Sequence, residues 1–589
     1  MRIKYIDVLK AVAIIAVVLY HAGFLTYGYL GVDLFLVIGG YMITRSLYSK
    51  VIDALGVRSG VGYFQFEFNR IARLLPPLLV AGAVCMAMGY VFMVDSYYES
   101  LSQSLIATNF FGNNVVELIS TGDYWASDKM YSPLMHTWYV GLIMQFYIVY
   151  PILFYLAKLD KKTPKQTLIV LIGIVAFISM MLYLADTDTA RRFYLLPARF
   201  FEFAVGGIIA LCYVPTQDKI FKKPFVYFCY ALLLAILVVN IELIPANIKL
   251  LLVVAISCVL LCSQDSLENR ITGNEFLAKI GAASYSIFIW HQIVIAFGRI
   301  LSLGQMGIAS YSICLIITIF LSWLSYQFIE QRIGVLLKRD NGKRRLLIVY
   351  GALFVLLNSG ALIIYKNAGV VRDIPELEVS VDHPQREMWP AYTNRVFKED
   401  KGFETEKPHW FVIGNSFGRD FLNIIYESPV ADIVELSYVG SKEYMEPKYE
   451  TRFSKADKIF VASKGYDEGM VHDIEIIARS FGLKNKDVIV VGEKYFGENI
   501  NQIYARRFYS DYMQTSVSVK EDIFDKNNHY RQLYGERFID LLGVVTNAKG
   551  QVSVFTTDAK LFSYDCIHLT KSGACDYAKA IDWNKYLNE

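Results

Sequence analysis

The chain has 589 residues, of which 54% are hydrophobic, 15% aromatic and only 19% charged, with a formal net charge of +3. More than half apolar with so little charge excludes a wholly soluble protein and defines an integral membrane protein. No Walker loop, dinucleotide fingerprint, internal repeat or low-complexity tract is present, and no nucleic-acid partner is expected.

Apolar windows fill the first part of the chain. They predict an all-α bundle of about eleven spans, each about 20 residues long, near 8–27, 29–48, 75–94, 134–157, 166–185, 195–214, 225–243, 246–263, 280–300, 305–328 and 346–365. Arg2 and Lys4 precede the first span, but no small-x-small cleavage site follows, so a retained anchor is expected rather than a signal peptide. Basic residues recur in alternate loops: Arg2, Lys4 and Lys10; Arg45, Lys50, Arg58, Arg70 and Arg73; Lys158, Lys161, Lys162 and Lys165; Lys219, Lys222 and Lys223; Lys338, Arg339, Lys343, Arg344 and Arg345. The intervening loops are poorer in base or acidic, as at Asp95, Glu99, Glu117, Asp123 and Asp128. The positive-inside rule then puts the amino terminus in the cytoplasm; an odd number of spans puts everything after about residue 366 outside it, and an even number reverses that placement.

Polar residues interrupt these spans where a packed bundle does not need them. His21 lies in VVLYHAGFL and Asp33 in YLGVDLFLVIGGYMIT, and burying an imidazole and a carboxylate in lipid costs several kcal/mol each, so such residues are kept for chemistry or transport. Arg70 and Arg73 stand one helical turn apart at the edge of the third span, a pair suited to gripping phosphates and equally to anchoring a span. His136 opens the fourth span, Arg199 and Glu202 lie three apart in ARFFEFAVGG and can neutralise each other, and His291 sits deep in SIFIWHQIV.

These strings resemble the acyltransferase-3 membrane acyltransferases over essentially all of residues 1–335. The matching elements are Ile6 to Ala11 with Tyr20-His21-Ala22, Gly31-Val32-Asp33-Leu34-Phe35 into Gly39-Gly40-Tyr41, the Arg-x-x-Arg at Arg70 and Arg73, Ser132 to Trp138, Arg199 to Gly206, Ser284 to His291, and Ser325 to Glu330. The resemblance implies transfer of an acyl group, by default acetyl, from cytoplasmic acetyl-CoA or another acyl-CoA to a sugar hydroxyl of a bacterial cell-envelope glycan. It implies His21 as catalytic base, Asp33 as supporting carboxylate and Arg70 with Arg73 as contacts to the CoA phosphates, with His136, Arg199, Glu202 and His291 in support. Two departures stand out. Ile143 and Met144 occupy positions where the family commonly carries glutamates, and Gln331 follows Glu330 where a proline is usual.

From residue 336 to 408 a further span is followed by a proline-containing linker of mixed charge. From residue 409 to 589, strand-like runs HWFVIG, ADIVELSY, KIFVAS, DVIVVG and QVSVFT alternate with helix-like stretches, which predicts a soluble α/β domain with a parallel sheet. The first strand ends in Gly414-Asn415-Ser416, and Asp565-x-x-His568 lies near the far end of the chain. A serine on a tight turn at a strand's carboxyl end is a helix cap or a nucleophile, and an Asp-x-x-His pair supplies a base and its orienter.

This part resembles the SGNH hydrolase superfamily, which implies a flavodoxin-like fold with Ser416 as nucleophile, His568 as general base, Asp565 as orienter, and the amides of Ser416 and Gly440 in the oxyanion hole. Asn415 stands where an aspartate is usual, and no Gly-x-Asn-Asp string supplies a third donor; the corresponding strand end reads Val461-Ala462-Ser463-Lys464-Gly465.

Six cysteines, Cys85, Cys212, Cys229, Cys258, Cys262 and Cys314, fall in apolar spans as packing residues without metal partners, and Cys566 with Cys575 form a disulfide or remain thiols. No metal is expected. The combined expectation is an acyl relay through His21 and then Ser416 to peptidoglycan, O-antigen, capsule or another envelope glycan. Three other readings stay open: direct acylation by the membrane part with the outer part binding or editing, a proton-coupled transporter fused to an esterase or glycan-binding domain, and a catalytically inert scaffold.

Overall fold

The computed structural model describes residues 4–48, 63–120, 127–213, 221–239, 242–263, 274–303, 306–383, 385–465 and 467–587. Arg2, Lys50, Arg58, Asp123 and Lys219 of the loop-charge pattern lie outside the described residues. The chain divides into two units. One comprises Met1–Tyr90, Ser100–Arg299 and Met306–Lys366; the other comprises Val91–Glu99, Ile300–Gln305 and Asn367–Glu589.

The first unit is helical. Its principal helices are α1 (Lys4–His21), α2 (Gly31–Leu47), α3 (Tyr63–Phe92), α4 (Trp138–Ala157), α5 (Pro164–Ala185), α6 (Leu196–Cys212), α7 (Lys223–Val238), α8 (Ala246–Leu261), α9 (Ser284–Leu301), α10 (Ile308–Ser325) and α11 (Asp340–Lys366). Among the described residues eight helices are long and apolar enough to cross a membrane, and the protein is a multi-pass membrane protein. Of the eleven expected spans, three fall on helices outside that set: α1 carries Lys4, Asp7 and Lys10, while α7 and α8 have 16 residues each. At 1.5 Å per residue such a helix reaches about 24 Å, short of the roughly 30 Å hydrocarbon layer.

Small residues set how closely the helices approach, as expected where lipid supplies no hydrophobic drive between them. A Cβ on Gly40 of α2 would stand 1.8 Å from the Phe203 carbonyl oxygen of α6, and one on Gly206 would stand 2.0 Å from that of Val37. The two backbones therefore touch, and α4 completes the layer by stacking Phe146 on Phe203 at 4.0 Å between ring centroids. The Thr44 hydroxyl meets the Tyr150 hydroxyl at 2.6 Å beside this contact.

The second unit is built on a five-stranded parallel sheet of β1 (His409–Gly414), β2 (Glu435–Gly440), β3 (Lys458–Ala462), β4 (Val488–Val491) and β6 (Phe538–Ile539), in the order β2-β1-β3-β4-β6. Alternation places Trp410 and Val412 in one apolar core with α12 (Ser416–Tyr426) and α14 (Lys571–Ala580), and Phe411 and Ile413 in a second with α13 (Glu468–Ser480). The run QVSVFT does not join this sheet. Its residues Gln551–Ser553 form β7, paired antiparallel with β5 (Ser516–Ser518); the left-handed turn at Gly550, φ +72°, leads into that short strand. The fifth parallel position is taken instead by the two residues of β6.

All eight cysteines are free thiols, Cys566 and Cys575 included, so the disulfide alternative is set aside. Cys575 Sγ lies 3.6 Å from a Glu427 carboxylate oxygen. Cys212, read as a packing residue, is exposed at the end of α6.

Candidate active sites

Three histidines converge in the helical unit. His21 closes α1, and its Nδ1 lies 2.8 Å from Nε2 of His291 on α9. His291 Nδ1 faces the Ile287 carbonyl oxygen at 3.1 Å. A carbonyl only accepts, so in the neutral rings Nδ1 of His291 carries the hydrogen and its Nε2 accepts from His21 Nδ1–H. Nε2 of His21 then carries a lone pair. The His136 ring lies edge-on to that of His291, 5.3 Å between centroids, and donates Nε2–H to the Ile289 carbonyl at 3.1 Å. All three rings are buried.

Arg299, which the sequence reading missed, lies two turns after His291 on the same helix. It donates to the backbone carbonyl of His21 and, at 3.2 Å, to that of Met130, clamping the end of α1. An arginine inside an apolar run was the available signal.

Asp33 belongs to a separate cluster with Arg199 and Glu202. Its carboxylate accepts from the Arg199 guanidinium, whose Nε lies 2.9 Å from Glu202. The close approach of α2 and α6 at Gly40 and Gly206 makes this pairing possible. Two carboxylates share one guanidinium, and all three side chains are at most 4% exposed. The group that orients the His21 ring is His291.

Arg70 lies 5.0 Å and 5.3 Å from the ring centroids of Phe66 and Tyr147, whereas Arg73 is exposed. Glu330 accepts from the Ser286 hydroxyl, and the neighbouring Tyr285 hydroxyl donates to the Leu74 carbonyl at 2.7 Å. Met144 is buried, so no carboxylate stands at that departure.

In the second unit, Ser416 is the first residue of α12, immediately beyond β1. Because β1 lies between β2 and β3, its carboxyl end is the point where successive crossovers leave for opposite faces, and a crevice opens there. Gly414 permits the approach, since a Cβ would stand 2.0 Å from the Ala462 carbonyl oxygen. Asn415 caps α12 by accepting from the Phe417 amide at 2.9 Å, while its Nδ2 donates to Ser463 Oγ at 3.1 Å. Gly440 ends β2 opposite Gly414. A cleft of about 730 Å³ begins at Ser463 and includes Asp467, Glu468, Lys526 and His529.

Asp565 Oδ2 accepts from His568 Nδ1 at 2.7 Å, and Oδ1 accepts from the amides of Ile567 and His568 at 2.8 and 2.7 Å. Burial raises this carboxyl's pKa, but the His568 ring and these amides outweigh it and hold the group below the usual carboxylate range. The bond at Nδ1 leaves Nε2 of the neutral His568 ring as the acceptor. The Leu569 amide reaches Asp420 at 3.4 Å, tying the histidine loop to α12 one turn beyond Ser416. Asp420 in turn pairs with Lys494 at 2.8 Å, both side chains at most 2% exposed. Burial pushes the Asp420 carboxyl up against the pull of Lys494. Lys494 Nζ also sits 3.4 Å from the Phe417 ring centroid, beside Ser416. This pair too was missed, because neither residue stands out in a soluble sequence.

Buried histidines on packed apolar helices, joined in one chain to an α/β unit, define a membrane protein with two candidate reaction centres. Residues 3–327, more than half the chain, match the acyltransferase domain family, and the chain belongs to that family. It is 28% identical over 356 residues to a Staphylococcus aureus strain COL protein named "Putative O-acetyltransferase", covering 56% of this chain and 57% of that protein. It is 26% identical over 347 residues to the O-acetyltransferase OatA of S. aureus strain NCTC 8325, covering 55% and 56%. The chain thus spans a little more than half the length of the curated relatives it matches. No solved structure matches it.

Proposed function

We propose that this protein is a membrane O-acetyltransferase that moves an acetyl group from cytoplasmic acetyl-CoA to a hydroxyl of a cell-envelope glycan. The observation that carries the reading is the His21–His291 contact inside the acyltransferase domain, because it supports a neutral His21 imidazole whose accepting nitrogen is Nε2. Nε2 of His21 takes the proton of a hydroxyl on a carrier alcohol as that oxygen bonds to the thioester carbon, so the carrier leaves as the acyl ester. The carbon–sulfur bond then breaks, and the proton passes to the departing sulfur, giving free CoA. The Arg-x-x-Arg at Arg70 and Arg73 serves the CoA phosphates, and the buried Asp33–Arg199–Glu202 group holds α2 and α6 in register.

In this reading α1 crosses the bilayer together with the eight longer spans, so the count is odd whether or not the α7–α8 pair also crosses; the amino terminus is then cytoplasmic and the second unit extracytoplasmic, in a bacterial cytoplasmic membrane. There Ser416 Oγ attacks the delivered acyl ester, His568 Nε2 accepts its proton and returns it to the departing oxygen, and Asp565 keeps the ring in that tautomer. A glycan hydroxyl then attacks acyl-Ser416 with the same base, forming the product ester and restoring the serine. The amides of Ser416 and Gly440 stabilise the oxyanion. Ser463 supplies a third donor, since its oxygen accepts from Asn415 and its own hydrogen remains to give. This is an SGNH-like arrangement in which the end of β3 replaces the missing asparagine. Peptidoglycan, O-antigen and capsule are the acceptor classes that fit.

A second reading, direct acylation of the glycan by the helical unit with the outer unit editing, is favoured by Asn415 and by the lack of a Gly-x-Asn-Asp string. Inverted membrane vesicles given acetyl-CoA labelled in the acetyl group test the donor step. Label in glycan that disappears in His21→Ala supports the proposal, and label that persists refutes it. Label that persists in Ser416→Ala selects the second reading.

A further inference from the structure

The helical unit holds a cavity of about 390 Å³ that none of the roles above uses. Tyr29 from the turn between α1 and α2, Tyr183 near the end of α5, Thr189 and Arg192 of the short helix Thr189–Tyr194, Arg199 of α6 and Asn247 of α8 face it. Helices α1 and α5 end at this face while α2, α6 and α8 begin there, so it lies opposite the lysine-rich loop that follows α4.

Arg199 at the cavity wall is matched by Asp33 and Glu202, whereas two further cations nearby are not matched. Arg191 and Arg192 are sequence neighbours with opposite environments. Arg191 meets Asp186 at 3.2 Å and Asp188 at 3.1 Å. Arg192 turns inward over the Tyr183 ring, 5.5 Å from its centroid, and its polar contact is the Thr189 hydroxyl at a long 3.5 Å. Its Nε is buried without a hydrogen-bond partner. Lys249, two residues beyond Asn247, is only 2% exposed, and its Nζ stands 3.4 Å from the Tyr27 ring centroid. Among the described residues neither the partly buried Arg192 nor the buried Lys249 has a carboxylate within ion-pair distance, and a buried cation without a partner is costly. An anionic group entering the cavity supplies the missing partner, and a guanidinium takes a carboxylate or phosphate through two parallel hydrogen bonds. The Tyr29 and Tyr183 rings offer flat apolar walls, and Thr189 with Asn247 offers groups for hydroxyls. That combination fits a sugar ring carrying an anionic substituent, in a cavity of small-ligand size. The Tyr29 ring is 5.5 Å from that of Tyr20, which is 5.2 Å from that of His21, so one intervening ring connects the cavity wall to the histidine cluster.

We propose that this cavity binds an acidic sugar of the molecule whose hydroxyl takes the acyl group at His21, with its anionic group on Arg192. The acceptor role rests on the acyltransferase reading; the binding itself does not. The test is equilibrium binding, without acyl donor, of three disaccharides of one skeleton to the full-length protein in detergent: a uronic acid, a sugar phosphate and the neutral sugar. The wild type is expected to bind at least one anionic form about tenfold or more tightly than the neutral form, a charge-assisted contact, and the better of the two identifies the anion. Arg192→Gln is expected to abolish that preference, Arg192→Lys to retain part of it, and Arg191→Gln to leave it unchanged. Equal binding of all three sugars, or a preference that survives Arg192→Gln, overturns the proposal. Because no acyl donor is present, acetyl transfer measured separately on the same variants succeeds or fails independently of this result.

Discussion

At His21 the position of the proton follows from its neighbour. His291 is held by the Ile287 carbonyl, and this bond presents an acceptor to His21 Nδ1. Removing the base in His21→Ala is expected to lower acetyl transfer about 10²–10⁴-fold. His291→Ala, which leaves the base but frees its ring, is expected to lower kcat less, with KM for acetyl-CoA unchanged; steady-state kinetics in vesicles read both. Asp565 makes a pH prediction. Its folded pKa is depressed, so the stability it contributes is present above its unfolded value, about 3.9, and is lost as pH falls through the lower folded value. Urea unfolding is therefore expected to show a smaller gap between wild type and Asp565→Asn below pH 4 than at pH 7. A gap that does not change with pH would mean that the carboxylate is not held in its charged form.

Among the elements, the contact of α2 with α6 carries the Asp33–Arg199 pair. Gly206→Leu places a side chain against the Val37 backbone and is expected to abolish transfer while α1 and α9 still fold; loss of activity with unchanged helical circular dichroism is the result to look for. In the second unit, Lys494→Met leaves Asp420 buried without its partner and is expected to cost about 3–5 kcal/mol, read as earlier urea unfolding of the full-length protein. Combining it with Asp420→Leu is expected to recover much of that loss. The elements were largely legible. Apolar windows located the helices, and short apolar runs located β1 to β4, because each is a local pattern. QVSVFT misled because a short alternating run does not say which sheet it joins. The histidines were legible singly, as ionisable residues in apolar runs, but His21 and His291 are 270 residues apart, and only packing brings them together. Likewise nothing in the sequence separates Arg191 from Arg192.

Across the whole chain, two centres of different construction are joined. One has neutral imidazoles buried among apolar helices, and the other has an Asp–His pair on a loop tied to the helix that Ser416 begins. The membrane family covers the first centre and not the second. The central claim is that acetyl reaches an envelope glycan through His21. It is tested most directly by measuring base-labile acetate on purified envelope glycans from cells making wild-type protein, His21→Ala or Ser416→Ala at matched levels. The account predicts acetate in the wild type and its loss in both variants. Acetate at wild-type levels in His21→Ala would contradict it.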